Sequence, residues 1–327
     1  MTTRRQFAVQ LTSLAALGTG TFSAAQAQQQ SDLARLLVGF PPGGSTDNVA
    51  RRLAEKLRGT YAANVLVDNK PGAGTQIAVS ALKDAAPDGT TLLLSPPSPF
   101  TVYPYTYRKL PYALEDVAPV SMACTFPFAL AVGPAVPDSV RTLQDFVAWA
   151  KANPGKASFG SPASGSTPHL VGSVLGKMAG IDFTHVAYRG DAPGLQDLMG
   201  GQLPAYSTVL GSYLPHLKSG RLRLLAVSGT ERSTFAPDLP TYREQGFALD
   251  MTEWFGVFVP ARTPAATVQR VAEAVRAAVA QPDFARGLAE FGMTARSSTS
   301  QELVTRLRAE AEQWRAHVKN IGFTADT

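Results

Sequence analysis

Cysteine is nearly absent: Cys124 stands alone in 327 residues, which excludes an intramolecular disulfide. A chain of this length buries enough apolar surface to fold without one. A lone cysteine beside an apolar strand reads as a small core residue rather than a nucleophile. Histidine is scarce too, and His169, His185, His216 and His317 show no metal-ligand spacing. Neither a G-x-S-x-G elbow nor an H-E-x-x-H pair occurs. The G-x-G-x-x-G fingerprint and the G-K-[ST] phosphate loop are also missing. No catalytic residue, metal or cofactor is therefore expected. Charge is close to balanced: 30 basic against 25 acidic residues leave +5. With no long basic run, nucleic acid is not expected as a partner. Such a mild positive field favours small anions arriving from solution. Beyond residue 27 no run of ~18 uncharged apolar residues occurs, which excludes a spanning helix there.

What is present begins at the N-terminus. Arg4 and Arg5 precede a mildly apolar run from Ala8 to Leu17. Ala25-Gln26-Ala27 then offers the small-x-small pattern that a signal peptidase reads. The paired arginines resemble the twin-arginine export address. Residues 1–27 are expected to be a signal peptide of this type, cleaved after Ala27.

The rest of the chain alternates strand and helix. Leu36-Leu37-Val38, Val65-Leu66-Val67 and Leu92-Leu93-Leu94 are short apolar runs. Val49, Leu53 and Leu57 follow the first at helical spacing. The rhythm resumes with Phe128 to Val132, a helix over 142–153, Ala157-Ser158-Phe159, and a helix over 169–179. Strands over 183–188, 203–208, 222–227 and 254–259 follow, with helices over 193–199 and 213–218. Helices near 264–280 and 300–320 end the chain. Short continuous apolar strands between helices imply α/β layering with a parallel sheet covered on both faces. Two βα blocks joined near 126–133, with a tail returning through 252–259, predict two α/β lobes with two crossing strands and a ligand cleft between. The expected boundaries are 28–125 for lobe 1, 126–252 for lobe 2, and 253–327 for the return to lobe 1. Ligands of open α/β sheets bind beyond the carboxyl ends of the strands, and clefts between lobes are favoured sites.

Two loops could carry chemistry. Phe40-Pro41-Pro42-Gly43-Gly44-Ser45-Thr46-Asp47 follows a strand and opens a helix. Its glycines let backbone approach a ligand, and its free N–H groups form an anion site at the helix start. Gly160-Ser161-Pro162-Ala163-Ser164-Gly165-Ser166-Thr167-Pro168-His169 mirrors it in the second block, with Pro168 suited to the first helical turn. A dicarboxylate, or a carboxylate with a polar far end, could bridge the two. Trp254-Phe255 could add aromatic area to the cleft.

These segments occur in the order of a known family. The leader, Val38-Gly39-Phe40-Pro41-Pro42-Gly43-Gly44-Ser45-Thr46-Asp47, Asp68-Asn69-Lys70-Pro71-Gly72-Ala73-Gly74 and Ala86-Pro87-Asp88-Gly89-Thr90-Thr91 are its first part. Ser164-Gly165-Ser166-Thr167-Pro168-His169-Leu170, His185-Val186-Ala187-Tyr188-Arg189-Gly190 and Trp254-Phe255-Gly256 follow. The chain resembles the Bug family, the Bordetella uptake proteins, which are periplasmic solute receptors of tripartite tricarboxylate transporters. The resemblance implies a type II periplasmic-binding-protein fold, a periplasmic location, and binding of an aliphatic or aromatic mono- or dicarboxylate. It implies membrane permease subunits of the transporter as partners, and a monomer. It assigns ligand contacts to Phe40, Gly43, Gly44, Ser45, Thr46 and Asp47 on one side. On the other it assigns Ser161, Ser164, Gly165, Ser166, Thr167 and His169, with Ser95, Ser98, Thr208 and Trp254 as further candidates.

One departure stands out. After Gly200-Gly201-Gln202, family members often carry an acid at the end of the next strand, and Thr208 takes its place here. A ligand ammonium would lose its charge partner, so a ligand without an amino group is expected. Glu253 argues the other way if it faces the cleft. Two rival readings remain open: a carboxylate sensor feeding a two-component system, and an exported ester hydrolase using a serine near His169.

Overall fold

The structure is a computed structural model that describes residues 31–324. The expected leader lies outside the described residues. Strands β1 (Ser31–Val38), β2 (Ala62–Asn69) and β3 (Thr91–Ser95) pair in parallel, with β1 in the middle. Helix α1 (Ser45–Leu57) joins β1 to β2, and α2 (Gln76–Lys83) leads into β3. In α1 the sequence periodicity is realised directly: Val49, Leu53 and Leu57 are fully buried beneath the helix.

Two one-turn helices, α3 (Ser98–Thr101) and α4 (Tyr103–Thr106), follow β3, in a segment whose sequence predicts none. The chain then enters β4 (Val117–Val132), a 16-residue strand. Its first part pairs antiparallel with β9 (Thr252–Pro260), from Val117–Pro260 to Pro127–Thr252. Its second part pairs with β7 (Ala205–Val209) and β8 (Arg223–Val227), also antiparallel. The change of partner falls at Pro127, a residue with no N–H to donate to a ladder. The sequence predicts only 128–132 as strand here.

Past β4, α5 (Leu143–Ala152) is opened by a capping box between Thr142 and Asp145, which satisfies orphan N–H groups at the helix start. Then come β5 (Ser158–Ser161), α6 (Thr167–Ala179), β6 (Thr184–Ala187) and α7 (Asp191–Met199), with β5 parallel to both β6 and β7. After β9 come α8 (Ala265–Val279), α9 (Pro282–Ala289), the two-residue β10 (Thr294–Ala295) on β4, and α10 (Ser300–Ile321). The spatial order is β2-β1-β3-β9-β4-β7-β5-β6, with β8 and β10 attached to β4.

This is the expected α/β architecture of the type II periplasmic-binding-protein class, with β4 and β9 as the two crossing strands. The all-parallel expectation fails at those strands. β3–β9, β4–β9, β4–β7 and β4–β8 are antiparallel, because a strand that leaves one βα block for the other meets its neighbours head to tail. Helix α8 packs on α1 and β4, while α10 packs on α3, α4 and α6. Cys124 lies in β4 with no exposed surface, and burial pushes its thiol up to about 12. It is a core residue. Among the described residues, no helix is long and apolar enough to cross a membrane.

Candidate functional site

Three strand-to-helix turns converge on one cavity of about 780 Å³. The first opens α1. Gly43 sits at φ +86°, a left-handed backbone that strains any residue with a Cβ. Gly44 is the N-cap, and no side chain caps the helix. Its first-turn N–H groups, with the positive end of the helix dipole, face the cavity beside Phe40, Ser45 and Thr46.

Asp47 was expected among the ligand contacts, and the structure assigns it different work. It is 1% exposed and absent from the cavity wall. Its Oδ2 accepts from Gly43 N–H at 2.9 Å and Arg51 Nε at 2.8 Å. Its Oδ1 accepts from Asn69 Nδ2 at 2.9 Å, and the same amide donates to Phe40 O at 3.0 Å. Asp47 therefore holds the turn from beneath. Burial pushes its carboxyl up, but the Arg51, Gly43 and Asn69 donors outweigh that and leave it below the ordinary carboxylate value.

The second turn opens α6. Ser166 is the N-cap, again without a side-chain cap, and it lines the cavity with Pro162 and Pro168. Ser98, from the turn after β3, lines it too, and its hydroxyl lies 3.0 Å from Thr167 Oγ1. Of the remaining expected contacts from this loop, Ser161, Gly165, Thr167 and His169 are buried. Ser161 Oγ contacts Ala163 O at 3.0 Å and His185 Nε2 at 2.8 Å. His169 Nδ1 accepts from Gly165 N–H at 2.9 Å. Its ring stacks on His185 with centroids 3.6 Å apart. Burial, then the neighbouring His185, pushes His169 down to about 3, and burial pushes His185 down to about 4. Both rings are neutral at pH 7 and stiffen the loop. His169 is committed to a backbone donor and is a poor proton acceptor, so the hydrolase reading loses its base. Ser161, Gly165, Thr167 and His169 form the loop's support, Ser166 is its member on the wall, and half-buried Ser164 stands outside the wall.

Two other candidates are displaced. Ser95 is fully buried, and its hydroxyl donates to Pro96 O at 2.8 Å. Trp254 is also fully buried, and Nε1–H donates to both oxygens of Glu310 at 3.0 and 3.1 Å. Side chains alternate across a strand, so Trp254 faces away, while Glu253 and Phe255 on either side face the cavity. Glu253 is 5% exposed. Burial, then the Glu310 charge, pushes its carboxyl up to about 8 despite the Thr167 hydroxyl and Arg306. It is neutral at pH 7.

The third turn, to which the sequence alone assigns no role, opens α7. Gly190 is its N-cap at φ +93°, and no side chain caps it. Asp191 follows as the first helical residue and lines the cavity. Its Oδ2 accepts from Ser212 Oγ at 2.8 Å and from Ser45 Oγ at 3.4 Å, and its Oδ1 accepts from Thr208 Oγ1. Burial pushes this carboxyl up, while the three hydroxyl donors pull against it. Thr208 does stand in the wall, but it leaves no uncharged gap: the acid that its strand lacks arrives from α7. The available signal was Gly190 between a strand and a helix, the same punctuation as at Gly44 and Gly165.

Phe126, Phe128, Phe255, Phe291, Leu195 and Met199 supply the apolar wall. Such a cavity can hold an anion on first-turn N–H groups of α1 and α6, with a carbon body against aromatic rings.

Residues 49–323 match the model of the tripartite tricarboxylate transporter family receptor. Protein BugT of Bordetella pertussis is 33% identical, over 88% of this chain and 89% of BugT. Three solved structures align at full-chain scale. The periplasmic binding protein BugD is 28% identical, with TM-score 0.82, over 89% of this chain and 98% of BugD. Rpa4515 of R. palustris with adipate is 29% identical, with TM-score 0.85, over 89% and 98%. MatC from Rhodopseudomonas palustris with bound malate is 26% identical, with TM-score 0.81, over 88% and 98%.

Proposed function

The chain belongs to the tripartite tricarboxylate transporter family of receptors, and from that premise we propose that it is a periplasmic receptor for a small carboxylate. The observation that carries the reading is the meeting of three helix N-termini, none capped by the side chain of its own N-cap residue, at one cavity. Backbone N–H groups and a helix dipole suit a carboxylate without a fixed counter-charge. Adipate and malate in the two R. palustris structures are carboxylates of this kind.

In this reading the signal peptide of residues 1–27 directs export and is removed after Ala27. Lobe 1 comprises 28–125 and the return 253–327, and lobe 2 comprises 126–252. The lobes close on the ligand about β4 and β9, and the closed monomer delivers it to membrane permease subunits. Closure excludes water and strengthens every hydrogen bond to the anion. Ligand binding stabilises the closed state only by its preference for it.

A thermal-shift screen of the purified protein against carboxylates, amino acids and uncharged analogues tests this. A ligand at a hundredfold excess over its Kd adds ~2.7 kcal/mol of stability, a clear rise in Tm. Shifts confined to carboxyl-bearing compounds support the receptor reading. A screen in which no carboxylate shifts Tm overturns it.

A further inference from the structure

Given the receptor reading, on which the inference rests, the side chains around Asp191 specify more of the ligand than its carboxylate. Asp191 projects into the cavity from the start of α7, and Thr208, Ser212 and Ser45 all place hydroxyls on it. Its neighbours contribute hydroxyl donors and no cation. Burial lifts this carboxyl above its ordinary value although the three donors favour the ionised form, and no cation among the described residues answers the charge it carries when ionised. Glu253, the second acid on the wall, is held neutral by burial and supplies no positive charge. The arginines that line the cavity, Arg189 and Arg221, are both exposed to solvent, where water and salt screen them. Between these polar points the wall is apolar and aromatic: Phe126, Phe128, Phe255, Phe291, Leu195 and Met199.

We infer that the ligand is a zwitterionic monocarboxylate with an apolar or aromatic body, its ammonium group facing Asp191, and that di- and tricarboxylates are disfavoured. A second ligand carboxylate beside Asp191 would place like charges together in a poorly solvated site, which costs affinity. An ammonium there gains a charge-assisted hydrogen bond and neutralises a wall charge that the protein leaves unpaired. The carboxylate then takes the N–H groups of α1 and α6, and the body lies against the phenylalanines. This reverses the expectation drawn from Thr208 alone, because the acid on α7 replaces the one missing from the strand.

Three probes on one skeleton isolate the group that meets Asp191: L-phenylalanine, 3-phenylpropionate and benzylmalonate. These carry ammonium, hydrogen and carboxylate at the same carbon. The aliphatic set of L-leucine, 4-methylpentanoate and isobutylmalonate covers a narrower body. Affinities are measured by calorimetry on the wild-type protein, D191N and S212A, with Tm verifying that each variant folds. Within whichever set binds, the zwitterion is expected to bind at least about tenfold tighter than the dicarboxylate in wild type. D191N abolishes or inverts that ratio, and S212A, which removes one donor but keeps the carboxyl, narrows it less than D191N does. A dicarboxylate that binds as tightly as the zwitterion, or a ratio unchanged in D191N, overturns the inference and leaves the receptor reading intact. So does binding of other carboxylates while no zwitterion of either set binds. Only the absence of binding by every carboxylate tested overturns both.

Discussion

Ser98 Oγ and Thr167 Oγ1 lie 3.0 Å apart, and Thr167 N–H donates to the same serine oxygen at 3.3 Å. One residue begins α3, just after β3, and the other begins α6, so this contact ties the β1–β3 block to the β5–β6 block beside the cavity. A double-mutant cycle with S98A and T167A is expected to give a coupling of about 0.5–1.5 kcal/mol in unfolding free energy. S98A alone should also weaken ligand binding, because it loosens the contact that holds the two blocks together. Additive single-variant effects would show that the pair does not join them.

Glu253 sets a pH dependence. Its carboxyl is raised from its ordinary value to about 8 in the folded protein, first by burial and then by Glu310. The folded state therefore holds the proton more tightly than the unfolded chain. Its contribution to stability is full below the ordinary value of 4.5, is lost as pH rises toward about 8, and is flat beyond. E253Q should remove that decline and raise stability at pH 7–8 by on the order of 1–3 kcal/mol. Ionisation also adds negative charge to the cavity, so carboxylate affinity should fall above pH 8 in wild type and not in E253Q. Denaturant titrations and calorimetry from pH 5 to 9 read both effects, and parallel curves for the two proteins would refute this role.

Asp47 shifts the other way. Its folded carboxyl lies below the ordinary value, so the stability it confers is present above that value and is lost as pH falls through the folded one. D47A removes the acceptor of Gly43 N–H, Arg51 and Asn69 together. A loss of about 1–3 kcal/mol is expected from these unsatisfied partners. The Phe40–Thr46 turn should loosen as well, and ligand affinity should fall although Asp47 lines no part of the cavity. Unchanged affinity in a folded D47A protein would return the residue to a purely structural role.

Gly43 and Gly44 are separable by their backbones. Gly43 is at φ +86°, so G43V should lower stability by about 1–2 kcal/mol through strain. Gly44 is at φ −77°, and an added Cβ would meet only Pro41 O at 3.7 Å. G44V should therefore fold with Tm nearly unchanged, yet bind ligand at least about tenfold more weakly, because its side chain enters the space where a ligand approaches the α1 N–H groups. Equal affinity in G44V and wild type would remove the α1 turn from the site.

Much of the architecture was legible in the chain because it depends on local pattern. Buried positions four apart announce α1, and short apolar runs announce β1 and β3. The prolines and glycines between them mark turns at the carboxyl ends of strands, where ligands of such sheets bind. The 117–125 part of β4 was less legible. Its register with β9 slips between Pro119 and Ser121 and again between Met122 and Cys124, which breaks the two-residue alternation by which a strand is recognised. The short helices α3 and α4 also lack a periodic signal, being one turn each.

The sequence by itself determined which residues alternate along β9, which turns need glycine, and that two Gly/Ser loops begin helices. Each depends on neighbours within a few positions. Tertiary structure decided which face of β9 meets the cavity, and so put Glu253 and Phe255 on the wall and Trp254 behind it. It also decided that Asp47 works beneath its own turn through Asn69, 22 residues away, and that Asp191 stands against Ser45, 146 residues away. Strand parity is a local property, but which side of a strand faces ligand, and which charge answers which, is settled only when distant segments pack.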